Sequence, residues 1–266
     1  MRLIDSNIHL PPAPSLEHEI DLTVFDIHES LKKIRHQMQN EDYIGGNIMI
    51  LDTSFLRQND ATLINELKLL GLRSTVMVNP LDEDAYDCVD IAFKMGVGGI
   101  KFHPYILGLT DDHFPITSAL AKYISQREMW IAVDCSYGTK NLYTVSGVRL
   151  VNILSDVVKT PIIALHGGGK LVLDIMSIAM EAKQIYIDLS FSIPFWLGSS
   201  VETDFAFAIK KIGSDRFMYG SDYPYIGFDQ ASESVVKFLD NHGVSKLSID
   251  DVMFGTAAKV FNYELS

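Results

Sequence analysis

Imidazoles, carboxylates and one lysine stand at the ends of apolar segments along this chain, and donors of these types can grip one ion where they converge. Asp5, Asn7 and His9 alternate in IDSNIHL, a spacing that puts them on one face of an extended strand. Lys101 and His103 alternate in the same way in IKFHP. Asp134 closes the run IAVD, His166 follows IIAL, Asp188 lies in IYIDLS, and Asp222 follows MYGS. Any one of these is ordinarily a loop cap or a satisfied hydrogen-bonding group. Together, at the ends of separate apolar segments, they argue for a site, because burying charges without partners or a metal costs several kcal/mol.

The elements that must position them alternate. Apolar strand-like runs read Arg2 to Ile8, Asn47 to Leu51, Ser74 to Val78, Gly99 to Phe102, Trp130 to Asp134, Pro161 to Leu165, Gln184 to Leu189 and Arg216 to Tyr219. Between them the apolar rhythm changes to that of helices: Ile27, Leu31, Ile34 and Met38 fit one face, Leu63, Leu67 and Leu70 another. Further helices are expected near 84 to 95, 116 to 126, 146 to 158, 171 to 182, 201 to 212, 229 to 241 and 249 to 261. Parallel neighbours need a crossover, usually a helix, so the alternation predicts a parallel sheet. Eight repeats in 266 residues predict an α/β fold closed as a distorted (β/α)8 TIM barrel, one domain over residues 1–266. In such barrels the chemistry sits at the C-terminal strand ends, where the polar residues fall. The Pro-rich interval from Pro11 to Ile44, which holds one helix, is expected to cap the barrel mouth.

Composition narrows the partners. A formal charge of −12 with 22 Lys plus Arg argues against nucleic acid or an anionic membrane, which need clustered basic surface. No run of about 20 apolar residues and no signal peptide is evident, so the expected location is cytoplasmic. Cys88 and Cys135 lack the spacing of a zinc knuckle, and Cys135 reads as a core thiol rather than a nucleophile. No G-x-S-x-G elbow occurs. The Gly167-Gly168-Gly169 run lacks the glycine and the Ser or Thr of a phosphate loop and reads as a tight strand-to-helix turn. Tyr105, Tyr137, Phe195 and Trp196 fit a pocket wall or a packed mouth equally well.

IDSNIHL, GIKFHPY, IALHGGG, RFMYGSDYPY and the closing VMFGTAAKVF, in this order, resemble the amidohydrolase-related metal-dependent hydrolases, whose superfamily also holds decarboxylases and lactone-cleaving enzymes. The resemblance covers essentially the whole chain and implies a TIM barrel with a divalent ion. In that family the first strand ends in two histidines one residue apart, which bind the ion with a fifth-strand histidine and an eighth-strand aspartate. His9 matches the second histidine, Asp222 the aspartate, and His166 a sixth-strand histidine that is catalytic or a ligand. Asn7 stands where the first histidine is expected, Asp134 where the fifth-strand histidine belongs, and Thr256 where asparagine is common in the closing motif.

The implied metal set is thus Asn7, His9, Asp134, His166 and Asp222, holding Zn²⁺ first, with Mn²⁺ or Mg²⁺ made more plausible by the amide and carboxylate substitutions. The implied reaction is hydrolysis of a small lactone, ester, amide or carboxylic acid by metal-bound hydroxide, with Asp222 as base and His166 and His103 as further catalytic groups. Lys101, His103 and Tyr105 are the expected substrate contacts, with Lys101 and His103 holding a carboxylate at the mouth. An ion pair of Lys101 with Asp134 or Asp222 inside the barrel is the alternative. A metal-dependent non-oxidative decarboxylase and a barrel that has lost its ion and only binds a ligand both remain open. So does a homodimer.

Overall fold

The computed structural model describes residues 1–10, 27–38, 42–136 and 145–264. Eight strands form one parallel sheet in chain order: β1 (Leu3–Leu10), β2 (Tyr43–Ile50), β3 (Arg73–Met77), β4 (Gly99–Phe102), β5 (Trp130–Asp134), β6 (Ile162–Leu165), β7 (Ile185–Asp188) and β8 (Phe217–Met218). Each expected strand is present, shifted by a few residues at its ends.

β8 is only two residues long, so the sheet closes through the segment that follows it. Ser6 N donates to Tyr219 O at 3.0 Å, Asp222 N to Asn7 O at 2.9 Å and His9 N to Tyr223 O at 2.8 Å. The result is a nearly closed (β/α)8 barrel. These same bonds place Asp222 beside Asn7 and His9, so closure and site assembly are one event.

The strands are Ile-, Val- and Leu-rich and buried on both faces, as parallel strands between helices must be. The outer ring includes Ala85–Met95, Phe114–Ser125, Gly147–Ser155, Val172–Glu181, Ser200–Ile212 and Phe228–Asn241. In Thr62–Leu69 the fully buried residues are Ile64 and Leu67, while the expected face residues Leu63 and Leu70 are half-buried. The closing helix is interrupted: Lys246–Asp250 and Thr256–Val260 are joined by a wider turn at Asp251–Gly255.

Of the interval expected to cap the mouth, Ile27–Gln37 is a helix with Leu31 and Ile34 buried; residues 11–26 and 39–41 lie outside the described residues. Among the described residues no helix is long and apolar enough to cross a membrane.

Candidate active site

Strict alternation does not survive in β1. Three steps from Asp5 to Ile8 pair with two on β2, from Gly46 to Ile48, which marks a bulge. Asp5 leaves the face of Asn7 and His9: its Oδ1 accepts from the backbone N of Asn7 at 3.1 Å and of Ser221 at 2.9 Å. Burial raises its pKa to about 7 against those bonds. Asn7 and His9 both turn to Asp222, with Asn7 Nδ2 3.2 Å and His9 Nε2 3.0 Å from Asp222 Oδ1.

A second cluster forms around Asp134. Its Oδ2 lies 3.4 Å from Lys101 Nζ, 3.3 Å from His103 Nε2 and 3.4 Å from His166 Nε2. Its Oδ1 accepts from Ser136 Oγ at 2.5 Å and Ser136 N at 3.1 Å. Lys101 is 1% exposed, so it lies inside the barrel, not at the mouth where a substrate carboxylate was expected to meet it. The ion pair with Asp134, held open as the alternative, is what forms.

His166 links the two clusters electrostatically. Burial pushes its pKa down, but the Asp222 and Asp134 carboxylates outweigh that and raise it to about 9. The imidazole is therefore cationic near neutral pH. Burial and the nearby Lys101 charge lower His9, and burial lowers His103 to about 4 despite Asp134, so both rings are neutral there. His103 Nδ1 accepts from Ile106 N at 3.4 Å, which leaves its Nε2–H towards Asp134. Burial alone would raise both carboxylates. With His103 neutral, Lys101 and His166 are the cations that instead hold Asp134 well below the usual range, while the His166 charge and the hydrogen bond from His9 lower Asp222.

Both ends of this arrangement are strained. His166 and Asp222 have φ of 59° and 61°, a region that non-glycine residues adopt at a cost of about 1–3 kcal/mol and that concentrates at functional positions. The glycines after His166 also have positive φ, from 53° to 73°, so they make the expected turn into the next helix.

The sequence reading missed what stands behind His166. Its Nδ1 lies 3.1 Å from Ser190 O and 3.2 Å from Ser190 Oγ, and Ser190 Oγ accepts from Asn7 Nδ2 at 2.8 Å. Asp188, placed in its strand without a role, accepts from Ser6 Oγ, Ser190 Oγ, Ser190 N and His166 N. The spacing of Asp188 and Ser190 in IDLS carried that signal. Tyr225 was missed too: its ring meets His9 edge-on at 5.8 Å. Phe191 meets His166 at 6.4 Å and stacks on Phe195, which in turn touches Trp196. Tyr105 is half-buried after β4, and Tyr137 lies outside the described residues. Cys135 is buried and its thiol is pushed up by burial, in keeping with a core role.

The expected metal set meets three obstacles. His9 and Asp222 pair with each other, while Asp134 faces His166 together with Lys101 and His103. Among the described residues no three His, Cys, Asp or Glu side chains are arranged to hold an ion. Asn7, a weak neutral donor in place of an imidazole, spends its Nδ2 on Asp222 and Ser190. The ammonium is the third obstacle. An ion bound to Asp134 at about 2.1 Å would lie within about 5.5 Å of Lys101 Nζ, where a dication and an ammonium repel by roughly 6 kcal/mol at an effective dielectric of about 20. These residues do not fit a tightly held divalent ion.

An open groove lined by Met1, Leu3, Tyr43, Asp229 and Glu233 lies at the N-terminal ends of β1 and β2, away from this chemistry.

Comparison with known proteins agrees with the architecture. A protein of Acinetobacter baumannii described as a probable 2-pyrone-4,6-dicarboxylic acid hydrolase, with citric acid bound, superposes with a TM-score of 0.70 at 14% identity over 99% of this chain and 100% of that one. The 5-carboxyvanillate decarboxylase of Sphingomonas paucimobilis gives 0.68 at 12% identity over 98% and 99%. A dihydroxybenzoic acid decarboxylase of a Polaromonas species, with bound manganese and the inhibitor 2-nitroresorcinol, gives 0.66 at 13% identity over 100% and 98%. No curated protein matches the sequence. The sequence profile described as Amidohydrolase matches residues 57–263, from ahead of β3 through the closing helix, with β1 and its Asn7–His9 pair outside the match. On that match the chain belongs to the amidohydrolase family.

Proposed function

We propose that this protein is a hydrolase of small carbonyl compounds that carry a carboxylate, with a cyclic ester as the leading substrate type. One observation carries the reading: two ionised carboxylates, Asp134 and Asp222, share the buried cation His166, while Lys101 adds a second cation at Asp134. An anionic substrate finds positive charge there, and a carbonyl oxygen that gains charge in the transition state is stabilised by it. Asp222, oriented by His9 and Asn7, takes a proton from water as the water oxygen adds to the carbonyl carbon. His166 then gives its Nε2 proton to the leaving oxygen as the ester bond breaks. His103 and Tyr105, at and after the end of β4, contact the substrate carboxylate. The aromatic rings of Tyr225 and Phe191, set against His9 and His166, suit a planar substrate.

Loss of carbon dioxide from an aromatic acid is the second reading, favoured by the acid pKa of His166, which suits protonation of a substrate carbon, and by the two decarboxylases of the same fold. Incubation with 2-pyrone carboxylates, read by acid release, and with hydroxybenzoates, read by carbon dioxide release, separates the two. Hydrolysis abolished by Asp222→Asn is the expected result. Turnover of neither class, or a hydrolysis rate untouched by that substitution, overturns the proposal.

A further inference from the structure

We infer that the ammonium of Lys101 occupies the electrostatic place of a metal ion in this barrel, so that the site is built to work without one. The location rests on the proposed function; the charge balance at Asp134 does not depend on the substrate. Lys101 is 1% exposed, yet among the described residues its Nζ makes no hydrogen bond and meets Asp134 in a 3.4 Å ion pair. A buried ammonium has three donors to satisfy, and leaving them unmade is costly unless an anion or water takes them. The fixed positive charge at Asp134, which a divalent ion would otherwise supply, is thus already present in the chain.

The other substitutions agree with that replacement. With Asn7 in place of an imidazole, the first strand offers one strong ligand, His9, and its Nε2 is engaged by Asp222. Asn7 Oδ1 and His9 Nδ1 are buried and meet no donor among the described residues, which leaves two acceptors for a water or a substrate hydroxyl. Asp134 faces one ammonium and two imidazoles, a cationic surround that binds an anion's oxygen more readily than a second cation.

Metal uptake by the full chain without substrate tests this, read by elemental analysis after dialysis against Zn²⁺ or Mn²⁺ and by calorimetric titration with each ion. The wild-type protein is expected to retain well under one equivalent, and its melting temperature to ignore a chelator. Lys101→Met, which removes the ammonium and leaves the carboxylates, is expected to bind Zn²⁺ at least about tenfold more tightly than the wild type. Lys101→Arg, which keeps the charge, is expected to stay metal-free. Lys101→Gln replaces Lys101→Met should the latter fail to fold. Stoichiometric, chelator-sensitive metal in the wild type overturns the inference, and so does an unchanged affinity in the folded variant that lacks the ammonium. Because uptake is read without turnover, a protein that proves inactive on every ester still decides it.

Discussion

His166 Nδ1 lies 3.1 Å from the carbonyl oxygen of Ser190, and this bond decides which ring nitrogen faces Asp134. A carbonyl can only accept, so Nδ1 carries its hydrogen and Nε2 is the nitrogen left to exchange a proton at the site. His166→Gln keeps a polar side chain but cannot deliver that proton. The expected outcome is a fall in kcat of about 10²–10⁴-fold with KM changed much less. A raised KM with kcat unchanged would show that the ring only holds substrate.

Removing the hydroxyl of Ser190 tests positioning instead of chemistry. Ser190 Oγ receives Asn7 Nδ2 at 2.8 Å and lies 3.2 Å from His166 Nδ1, with a further bond to Asp188. Ser190→Ala leaves the backbone carbonyl in place, so the ring keeps its tautomer. Asn7 loses a partner inside the barrel, which costs about 1–3 kcal/mol. Thermal unfolding should show that loss while the pH profile of kcat keeps its shape, and Ser190→Thr should restore most of the stability.

Gly220 ties β8 to the same buried group. A Cβ at this position would stand 2.5 Å from Asp188 Oδ2, 2.9 Å from Ser190 Cβ and 2.9 Å from Ser6 Oγ. None of these atoms belongs to a flexible side chain on the surface, so the strand must shift. Gly220→Ala is expected to destabilise the fold by about 1–3 kcal/mol, measured by denaturant unfolding. A neutral effect would mean that the Asp188 network is looser than its bonds indicate.

Much of this was legible in the sequence, for a physical reason. Strands buried on both faces announce themselves as apolar runs, and a polar residue ending such a run has few places to go, which is why His9, Asp134, His166 and Asp222 could be named in advance. Two things were not legible. The bulge in β1 depends on pairing with β2, so alternation put Asp5 on the face of Asn7 and His9 when it caps the β1–β8 junction. The choice for Lys101 between a carboxylate contact at the mouth and an ion pair with Asp134 or Asp222 was also not legible, because spacing along β4 does not say how deep the side chain lies.

The charge of His166 gives the fold an alkaline limit whose sign follows from linkage. Its pKa rises from 6.5 to about 9 on folding, so the folded state binds the proton more tightly than the unfolded chain. The resulting stabilisation is complete below about pH 6.5 and is lost as pH rises through about 9, and a shift of this size is worth roughly 3 kcal/mol. His103 works the other way: lowered to about 4, it makes the folded state poorer in protons, so its stability contribution declines as pH falls from about 6.5 towards 4. Melting temperatures between pH 6 and pH 10 are expected to fall by roughly 6–10 °C from the titration of His166 alone. His166→Gln should lower the plateau and flatten the alkaline limb. A wild-type limb of unchanged steepness in that variant would place the alkaline titration on another group and remove the buried imidazolium from the site.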